Sequence, residues 1–248
     1  MARYKITLSY DGFNYMGFQI QNALPTVELA LKKAFSALIH EDVKINPSGR
    51  TDRGVHAVGQ VIHVDLNVDI PTNGLKKGLN AYLPSDIFIK DVEIVNETFH
   101  ARFSAVKKEY RYYINIKEYN PLTCRYSPYI PNLDLEQMRK AADVFVGTHD
   151  FKAFASASID PRKPTVKTIY KIDINQKDGY LEFCFIGNAF LKYQIRRMMG
   201  IIVEAGKHRY TIDQILHILE SLDPKESKYI LDGCGLYLYQ VDYDYHKE

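Results

Sequence analysis

A nine-residue segment combines one acid, two arginines and two glycines in the order Gly49-Arg-Thr-Asp-Arg-Gly-Val-His-Ala57. Asp52 carries the carboxylate, and Arg50 and Arg53 lie on either side of it. Nearby positive charge favours the ionised form of a carboxylate. Glycine lets the backbone turn tightly and lets another molecule approach closely. A nucleophile or a base that faces an anionic substrate could be built in this way.

The same residues also fit an ordinary turn. Aspartate accepts hydrogen bonds from neighbouring backbone N–H groups, and glycine adopts positive φ without strain. Such turns occur in every fold class. The spacing alone therefore favours the structural interpretation of Asp52, and residues elsewhere in the chain have to decide between the two.

Two further arginines stand in an apolar setting. Arg196 and Arg197 lie within the stretch from Phe190 to Gly200, so at least one of them is expected to face a negative group inside the protein. The alternative is that the aliphatic stem is covered while the charged head reaches solvent. The His-Asp pair in Gly147–Phe151 follows a predicted helix and fits a turn better than a site.

The sequence favours chemistry without a metal or an organic cofactor. His56 and His63 are too far apart to share one helical face, and no paired cysteines accompany them. The chain has no phosphate-binding P-loop, no dinucleotide glycine fingerprint and no Gly-x-Ser-x-Gly elbow.

Charge is unevenly distributed along the chain. The net charge is only +2, yet the stretch from His100 to Thr211 holds 19 Lys and Arg against 11 Asp and Glu. A basic stretch of this kind indicates either a surface for a polyanion such as nucleic acid or a solvated face with uneven charge. The 19 tyrosines are compatible with stacking on unpaired bases, although most tyrosines in a β-rich chain belong to the core.

Composition predicts a globular protein of the cytoplasm. Apolar residues make up 46% and charged residues 25%, which is ordinary for a globular chain. The N-terminus enters an alternating strand pattern without an apolar signal segment. The longest strongly apolar run, near Met198–Val203, is too short to cross a bilayer. Three distant cysteines suggest no disulfide framework.

Hydrophobic periodicity predicts the elements that would position Asp52. Tyr4, Ile6, Leu8 and Tyr10 alternate with polar residues, as in a half-buried strand. Thr26 is the predicted N-cap of a helix. The first half then continues as strands near 43–47 and 60–66, a helix near 75–81 and a strand near 87–95, which gives the order β-α-β-β-α-β.

The second half repeats this order loosely. We predict a long strand over 105–116, a helix over 135–145 capped by Asp134, a hairpin of 166–175 and 180–186, helices over 190–205 and 211–222, and a closing strand near 237–243. The predicted fold is therefore α+β, with two ferredoxin-like βαββαβ halves packed around a central, mainly antiparallel sheet and helices on the outer faces. The predicted domains are residues 1–103 and 104–248.

With these motifs in order, the chain resembles tRNA pseudouridine synthase I, the A family of pseudouridine synthases. The resemblance runs nearly from end to end. The segment Gly-Arg-Thr-Asp-x-Gly-Val-His-Ala is its most specific motif, and the others are Ser9–Gly12 with Gly17–Gln21, Phe99–Ala105, Tyr110–Tyr112, Gly187–Phe190 with Arg196, and Gly235–Leu238. Departures include Phe18, where the family commonly has Trp, and Arg53 at the variable position of the signature.

The resemblance implies a role for several residues. It makes Asp52 the catalytic aspartate of a uridine-to-pseudouridine isomerisation, either attacking the sugar or removing a C2′ proton. Tyr110 corresponds to the tyrosine that stacks on the target base, Arg196 to the arginine that pairs with the catalytic carboxylate, and Arg50 to the residue that helps to displace the base. No metal or cofactor is implied.

The resemblance also implies partners. The family acts on the tRNA anticodon arm at positions 38 to 40 and forms symmetric dimers that hold tRNA across both subunits. Arg53, Lys107, Lys108 and Arg162 are predicted RNA contacts. Two other hypotheses stay open at this point: an RNA-binding or folding factor without catalysis, and a synthase that acts on another RNA.

Overall fold

The computed structural model describes residues 1–21, 24–160 and 162–244. Within these ranges it contains nine strands and five α-helices, which confirms the predicted α+β class. The described chain forms two compact units, one of residues 1–108 with the residues from 237 onward and one of residues 109–236. None of the helices in the described ranges is long and apolar enough to cross a membrane.

The first unit follows the predicted β-α-β-β-α-β order. Its elements are β1 (Ala2–Tyr10), α1 (Val27–Ile39), β2 (Asn46–Pro47), β3 (His56–Leu66), α2 (Thr72–Tyr82) and β4 (Ile87–Val95). Thr26 caps α1 as predicted, because its hydroxyl accepts from the Leu29 N–H. Tyr4, Ile6 and Leu8 are fully buried, as their alternation predicts.

The strands of the first unit pair mainly antiparallel. The order is β4-β1-β3-β9, with β2 beside β3. β1 is antiparallel to both β3 and β4. The last strand, β9 (Leu236–Tyr243), lies parallel to the start of β3, with His56 opposite Tyr237. The C-terminal strand therefore supports the strand that leaves the Asp52 segment.

The second unit holds the remaining elements. They are β5 (Ala105–Asn115), which carries the chain into this unit, α3 (Leu135–Asp143), β6 (Gly147–Asp150), β7 (Val166–Lys177), β8 (Tyr180–Gly187), α4 (Gln194–Gly206) and α5 (Ile212–Ser221). The strand order is β5-β8-β7-β6. The predicted β7–β8 hairpin is confirmed, since Asp178 and Gly179 have φ of 51° and 83° at its tight turn.

Two predictions for the second unit are wrong in detail. Gly147–Phe151 was expected to form a turn after a helix, but Gly147–Asp150 is a strand that pairs antiparallel with Val166–Ile169. The helix expected from Phe190 begins only at Gln194, because Tyr193 has a φ of 72° and cannot continue a right-handed helix.

Candidate functional site

The Asp52 segment is a loop between two strands of the first unit. It leaves β2 at Pro47 and enters β3 at His56. Asp52 is half-buried, whereas Arg50 and Arg53 are exposed. The Val55 N–H donates to the Asp52 carbonyl at 3.2 Å, and Gly54 has a φ of 73° at the end of this turn. The carboxylate is thus presented at a tight turn, with a guanidinium group on either side of it in sequence.

A neighbouring segment, residues 12–18, holds this loop by backbone hydrogen bonds. The Phe18 N–H donates to the Thr51 carbonyl at 3.0 Å. The Gly54 N–H donates to the Tyr15 carbonyl at 3.3 Å. The residues immediately before and two after Asp52 are therefore attached to a second stretch of chain, which limits the movement of the carboxylate.

Two glycines make this close approach possible. A Cβ atom at Gly12 would lie 2.0 Å from the Val55 carbonyl oxygen. One at Gly17 would lie 2.8 Å from the Thr51 carbonyl oxygen, and Gly17 also has a φ of +100°. At Gly12 only glycine avoids the clash, and at Gly17 only glycine combines the close contact with the positive φ without strain.

A buried network of polar side chains holds the residues that lead into the Asp52 turn. Gln60 on β3 is fully buried and uses both ends of its amide. Its Oε1 accepts from Ser48 Oγ at 2.7 Å and from the Val61 N–H at 3.1 Å, and its Nε2 donates to the Gly49 carbonyl at 2.9 Å. One side chain therefore fixes two consecutive residues that lead into the Asp52 turn.

Tyr10 extends this network to the residue beside the carboxylate. Tyr10 Oη and Thr51 Oγ1 share a hydrogen bond of 2.8 Å, and Gln60 Nε2 lies 3.4 Å from the same phenol oxygen. Burial raises the pKa of Tyr10 to about 12. The phenol therefore stays protonated at neutral pH and acts as a hydrogen-bonding group beneath the loop.

Lys108 belongs to this network and not to the open surface. Only 8% of the residue is exposed, and its Nζ donates to the Ser48 carbonyl at 2.6 Å. Burial lowers the pKa of Lys108 to about 8, and the positive charge of Arg102 acts in the same direction. The structure therefore revises the expectation of a direct RNA contact at Lys108, because the ammonium group is used to hold the loop.

The end of the loop is anchored by His56. Its Nδ1 accepts from the Gly12 N–H at 3.1 Å and lies 3.0 Å from Asp11 Oδ1. Its ring stacks on Tyr237 of β9 at a centroid distance of 4.6 Å and an angle of 18°. The C-terminal strand thus contributes to the position of the loop through a ring contact as well as through strand pairing.

Tyr110 and Arg196 lie in the second unit. Tyr110 is on β5, is 8% exposed, and makes an edge-to-face contact with the Phe190 ring at 5.3 Å. Arg196 is in the first turn of α4, where its Nε donates to the Leu231 carbonyl at 2.7 Å. The Arg196 Cζ atom lies 5.5 Å from the centre of the Tyr193 ring. These contacts hold the guanidinium in a defined orientation.

Arg197 has a structural role. Its Nη1 donates to the carbonyls of Pro224 and Ser227 at 2.6 and 2.8 Å, and to Ser227 Oγ at 2.7 Å. Of the two arginines in this apolar stretch, Arg197 therefore holds the chain after α5 and faces neutral oxygen acceptors.

The remaining predicted RNA contacts are exposed. Lys107 Nζ lies 2.9 Å from Asp242 Oδ2, and Arg162 pairs with Asp160 at 2.8 Å. Within the part of the chain that the structure describes, neither Arg50 nor Arg53 forms an ion pair. The sequence neighbours of Asp52 are therefore directed to the surface and do not pair with its carboxylate.

Comparison with known proteins shows which family the chain belongs to. A family model described as tRNA pseudouridine synthase matches residues 6–104 and 141–244. The chain belongs to the tRNA pseudouridine synthase family. It is 44% identical to "tRNA pseudouridine synthase A" of Geobacillus sp. (strain WCH70) over 98% of both chains. It is 39% identical to the protein of that name from Bacillus subtilis (strain 168), over 98% of this chain and 99% of the relative.

The solved structures that match are only distantly similar to this chain. The match to a crystal structure of a Cbf5-Nop10-Gar1 complex covers 80% of this chain and 54% of that one, with 9% identity and a TM-score of 0.36. This similarity is too low to inform the site. The pseudouridine synthase family is established by sequence over nearly the whole chain.

Sequence reasoning missed the residues that support the loop of this family member. Gln60 and Ser48 were assigned no role, and Tyr10 was interpreted as a strand residue and as part of the Ser9–Gly12 motif, without a role at the loop. One signal was present, because Gln60 is a polar residue that directly precedes the apolar pair Val61 and Ile62 in a largely buried strand. Buried polar side chains need hydrogen-bond partners, so such a residue indicates a network.

Proposed function

We propose that this protein is an isomerase that converts uridine to pseudouridine in tRNA. The observation that carries the proposal is the signature loop, Gly49–Ala57, in a member of the tRNA pseudouridine synthase family. The loop is held by backbone hydrogen bonds to residues 12–18, by the network around Gln60 and by the contacts of His56. The reaction breaks the N-glycosidic bond and rejoins the base to the sugar through carbon. It is redox-neutral, and the chain's own side chains supply the chemistry.

Asp52 is the catalytic residue of this proposal. A carboxylate can attack the electron-poor sugar carbon as a nucleophile, as in retaining glycosidases, or act as a base at C2′. Both roles require the ionised form and a defined position. The hydrogen bonds of Thr51 and Gly54 to residues 12–18 support the second requirement.

Arg196 is proposed as the counter-ion of Asp52. An arginine beside a carboxylate keeps it ionised and orients it through charge-assisted hydrogen bonds. Arg50 and Arg53 form no ion pair among the described residues, so neither of them takes this role. The fixed orientation of the Arg196 guanidinium by Leu231 supports its assignment.

We propose that Tyr110 stacks on the target base and that Arg50 helps to displace it from the stem. The glycosidic bond is inaccessible in a stacked stem, so the nucleotide has to be extruded. Arg50 is exposed on the loop that carries Asp52 and would help to displace the base. Tyr110 would stack on the extruded base, in a position already fixed by Phe190.

The finer statements about the substrate and the assembly are also proposals. The substrate positions are uridines 38 to 40 of the anticodon arm, the assembly is a homodimer with tRNA across both subunits, and the reaction takes place in the cytoplasm. The two halves, 1–103 with the catalytic loop and 104–248 with Tyr110 and Arg196, would each have a ferredoxin-like βαββαβ order. The β-α-β-β-α-β order of the first unit supports this for the first half, whereas the second unit has the order β-α-β-β-β-α-α.

The product on tRNA tests the proposal. Purified protein is incubated with unmodified tRNAs that carry uridine at positions 38, 39 or 40, and pseudouridine is mapped at single-nucleotide resolution. We expect pseudouridine in the anticodon arm only. Tight tRNA binding without new pseudouridine would indicate an RNA-binding factor and overturn the proposal. Mapping total RNA after deletion of the gene would expose any other RNA target.

A further inference from the structure

A phenylalanine is displayed on the surface of the first unit. Phe103 is 78% exposed and follows the exposed Arg102 in the turn between β4 and β5. The Arg102 Cζ atom lies 5.8 Å from the centre of the Phe103 ring. The ring and the guanidinium both face solvent, so the pair offers an aromatic face and a positive charge to a ligand.

The turn that displays this pair is rigid. The His100 Nδ1 accepts from the backbone N–H groups of Arg102 and Phe103 at 3.1 and 3.3 Å. The Ser104 N–H donates to the His100 carbonyl at 2.9 Å, and the His100 N–H donates to Ser104 Oγ at 2.9 Å. Because the backbone is held in this way, little ordering of the turn would be required on binding.

A second layer fixes the turn to the sheet. His63 Nδ1 on β3 accepts from the Ala101 N–H at 3.1 Å, and Tyr243 Oη donates to the Ala101 carbonyl at 2.7 Å. The rings of His63 and His100 lie 4.5 Å apart, and the Phe103 ring lies 4.3 Å from that of His100. The exposed ring is therefore the outer member of a row of edge-on and tilted ring contacts that begins at β3.

Three cations, Arg3, Lys44 and Arg102, act on the turn, where Arg3 is paired with Asp65 and Glu97 is also exposed. Burial lowers the pKa of His100, and the cations Arg3, Arg102 and Lys44 act in the same direction. Lys44 and Arg102 are exposed, so their charges reach solvent. A ligand at this surface would thus combine a flat face for Phe103 with negative charge.

We propose that Arg102 and Phe103 form a contact surface for an unpaired nucleotide of the RNA substrate, with the base stacked on Phe103 and a phosphate bound by Arg102. Aromatic side chains stack on every base, and arginine binds phosphate through its planar fork. The turn lies near the residues that lead into the Asp52 loop, because the charge of Arg102 acts on Lys108, whose Nζ donates to the Ser48 carbonyl. This inference rests on the proposed function.

Equilibrium binding of unmodified tRNA to single variants tests the inference. Loss of one stacking side chain weakens single-strand binding by about 5- to 100-fold, so we expect Phe103→Ala to weaken tRNA binding to this extent and Phe103→Tyr to retain it. Arg102→Ala should reduce the slope of log affinity against log salt by about one. Tyr82→Ala, a change of another exposed aromatic residue on α2, is the matched control and should leave binding unchanged.

The outcomes separate this inference from the proposed function and from an alternative use of the surface. Unchanged tRNA affinity of Phe103→Ala would overturn the inference, even if pseudouridine is formed. Absence of pseudouridine with the wild-type protein would overturn the proposed function, whereas weaker tRNA binding by Phe103→Ala would still support the contact surface. Sedimentation of the same variants is measured in parallel. If Phe103→Ala dissociates an oligomer that the wild type forms, the surface is an interface between copies and the inference is wrong.

Discussion

At the scale of single residues, Gln60 shows how a buried side chain can hold the loop that carries the proposed catalytic group, Asp52. It is fully buried, and its amide contacts both Ser48 and Gly49. A side chain that satisfies several buried groups at once is costly to replace, because each partner left unsatisfied loses about 1–3 kcal/mol. We therefore regard Gln60 as a positioning residue of the Asp52 loop.

Replacing Gln60 with leucine is expected to lower stability and activity together. Leucine leaves the Ser48 hydroxyl and the Gly49 carbonyl without their partner, so the free energy of unfolding should fall by about 2–4 kcal/mol. A displaced carboxylate should lower kcat by about 10- to 100-fold with a smaller change in KM. Urea unfolding and single-turnover kinetics measure both.

Gln60→Glu is the matched variant. It keeps the acceptor for Ser48 Oγ and the Val61 N–H but loses the donor to Gly49. We expect an effect on kcat between those of the wild type and Gln60→Leu. If both variants lose stability while kcat is unchanged, Gln60 supports the fold only.

At the scale of elements, the segment of residues 12–18 and the Asp52 loop act as one unit. Their backbones approach so closely that glycine is required at positions 12 and 17. Both glycines belong to motifs that are visible in the sequence, Ser9–Gly12 and Gly17–Gln21. The physical reason for glycine at these positions is not visible there. It lies in a contact between residues separated by about forty positions, which no local pattern reports.

Gly17→Ala is expected to disturb the loop. Alanine is strained at a φ of +100°, and its Cβ would lie 2.8 Å from the Thr51 carbonyl oxygen. The free energy of unfolding should fall by at least about 2 kcal/mol, and pseudouridine formation should fall with it. Thermal unfolding and product formation are the measurements.

Gly74→Ala is the control for this prediction. Gly74 lies in α2, where a Cβ would meet only the Ile70 side chain at 3.7 Å. This change should leave activity intact and raise stability by up to about 1 kcal/mol, because alanine is the better helix former. If Gly17→Ala and Gly74→Ala have the same stability and form pseudouridine at the same rate, the close contact at Gly17 is unimportant.

The same scale shows which elements can be predicted from sequence. The alternation of Tyr4, Ile6 and Leu8 and the cap at Thr26 are local signals, and both were correctly interpreted. β6 was missed because a strand of four residues is defined by its partner β7 and not by its own residues. The start of α4 was missed because Tyr193 has a positive φ, which residues other than glycine seldom adopt and which its residue type does not indicate.

At the scale of the whole molecule, pH should change stability through His63. Burial lowers the pKa of His63 to about 4; the neighbouring His100 and the cations Arg3 and Lys44 act in the same direction, whereas Asp65 raises it. The unfolded chain, with a histidine pKa near 6.5, binds more protons than the folded protein between these values. Stability should therefore fall as the pH drops from 6.5 towards 4, by about 2 kcal/mol for this group.

His63→Asn isolates this effect. Asparagine can still accept from the Ala101 N–H but does not titrate. Urea unfolding between pH 4 and 6.5 should show a shallower dependence on pH for the variant than for the wild type. An identical dependence would mean that other groups are responsible for the loss of stability in acid.

The distribution of charge over the molecule predicts the salt dependence of tRNA binding. Lys107 and Arg162 are exposed, whereas Lys108 is buried against Ser48. Each exposed cation that binds a phosphate contributes about one to the slope of log affinity against log salt. Lys107→Ala and Arg162→Ala should therefore each reduce the slope by about one.

Lys108→Met serves as the contrast, since it should lower the reaction rate with little change in the salt slope. Lys77→Ala, a change of an exposed lysine on α2, should affect neither quantity. An unaltered slope in Lys107→Ala and Arg162→Ala would show that these side chains do not contact RNA.

The candidate site was accessible to sequence reasoning only in part. The spacing of Gly49–Ala57 left Asp52 ambiguous between a turn and a site, and the family resemblance decided it. The alternation of β5 places Lys108 on the buried face with Tyr110 and Tyr112, a signal that was overlooked. Its partner, the Ser48 carbonyl, could not be inferred because that contact is long-range. The network around Gln60 likewise depends on long-range contacts.

The most direct test of the account is tritium release from tRNA labelled at C5 of uridine, since forming pseudouridine replaces the hydrogen at that carbon. The wild-type protein should release tritium. Asp52→Ala and Asp52→Asn should release none while retaining the thermal unfolding profile and the tRNA affinity of the wild type. Measurable release by either folded variant would contradict the central claim that the Asp52 carboxylate performs the chemistry.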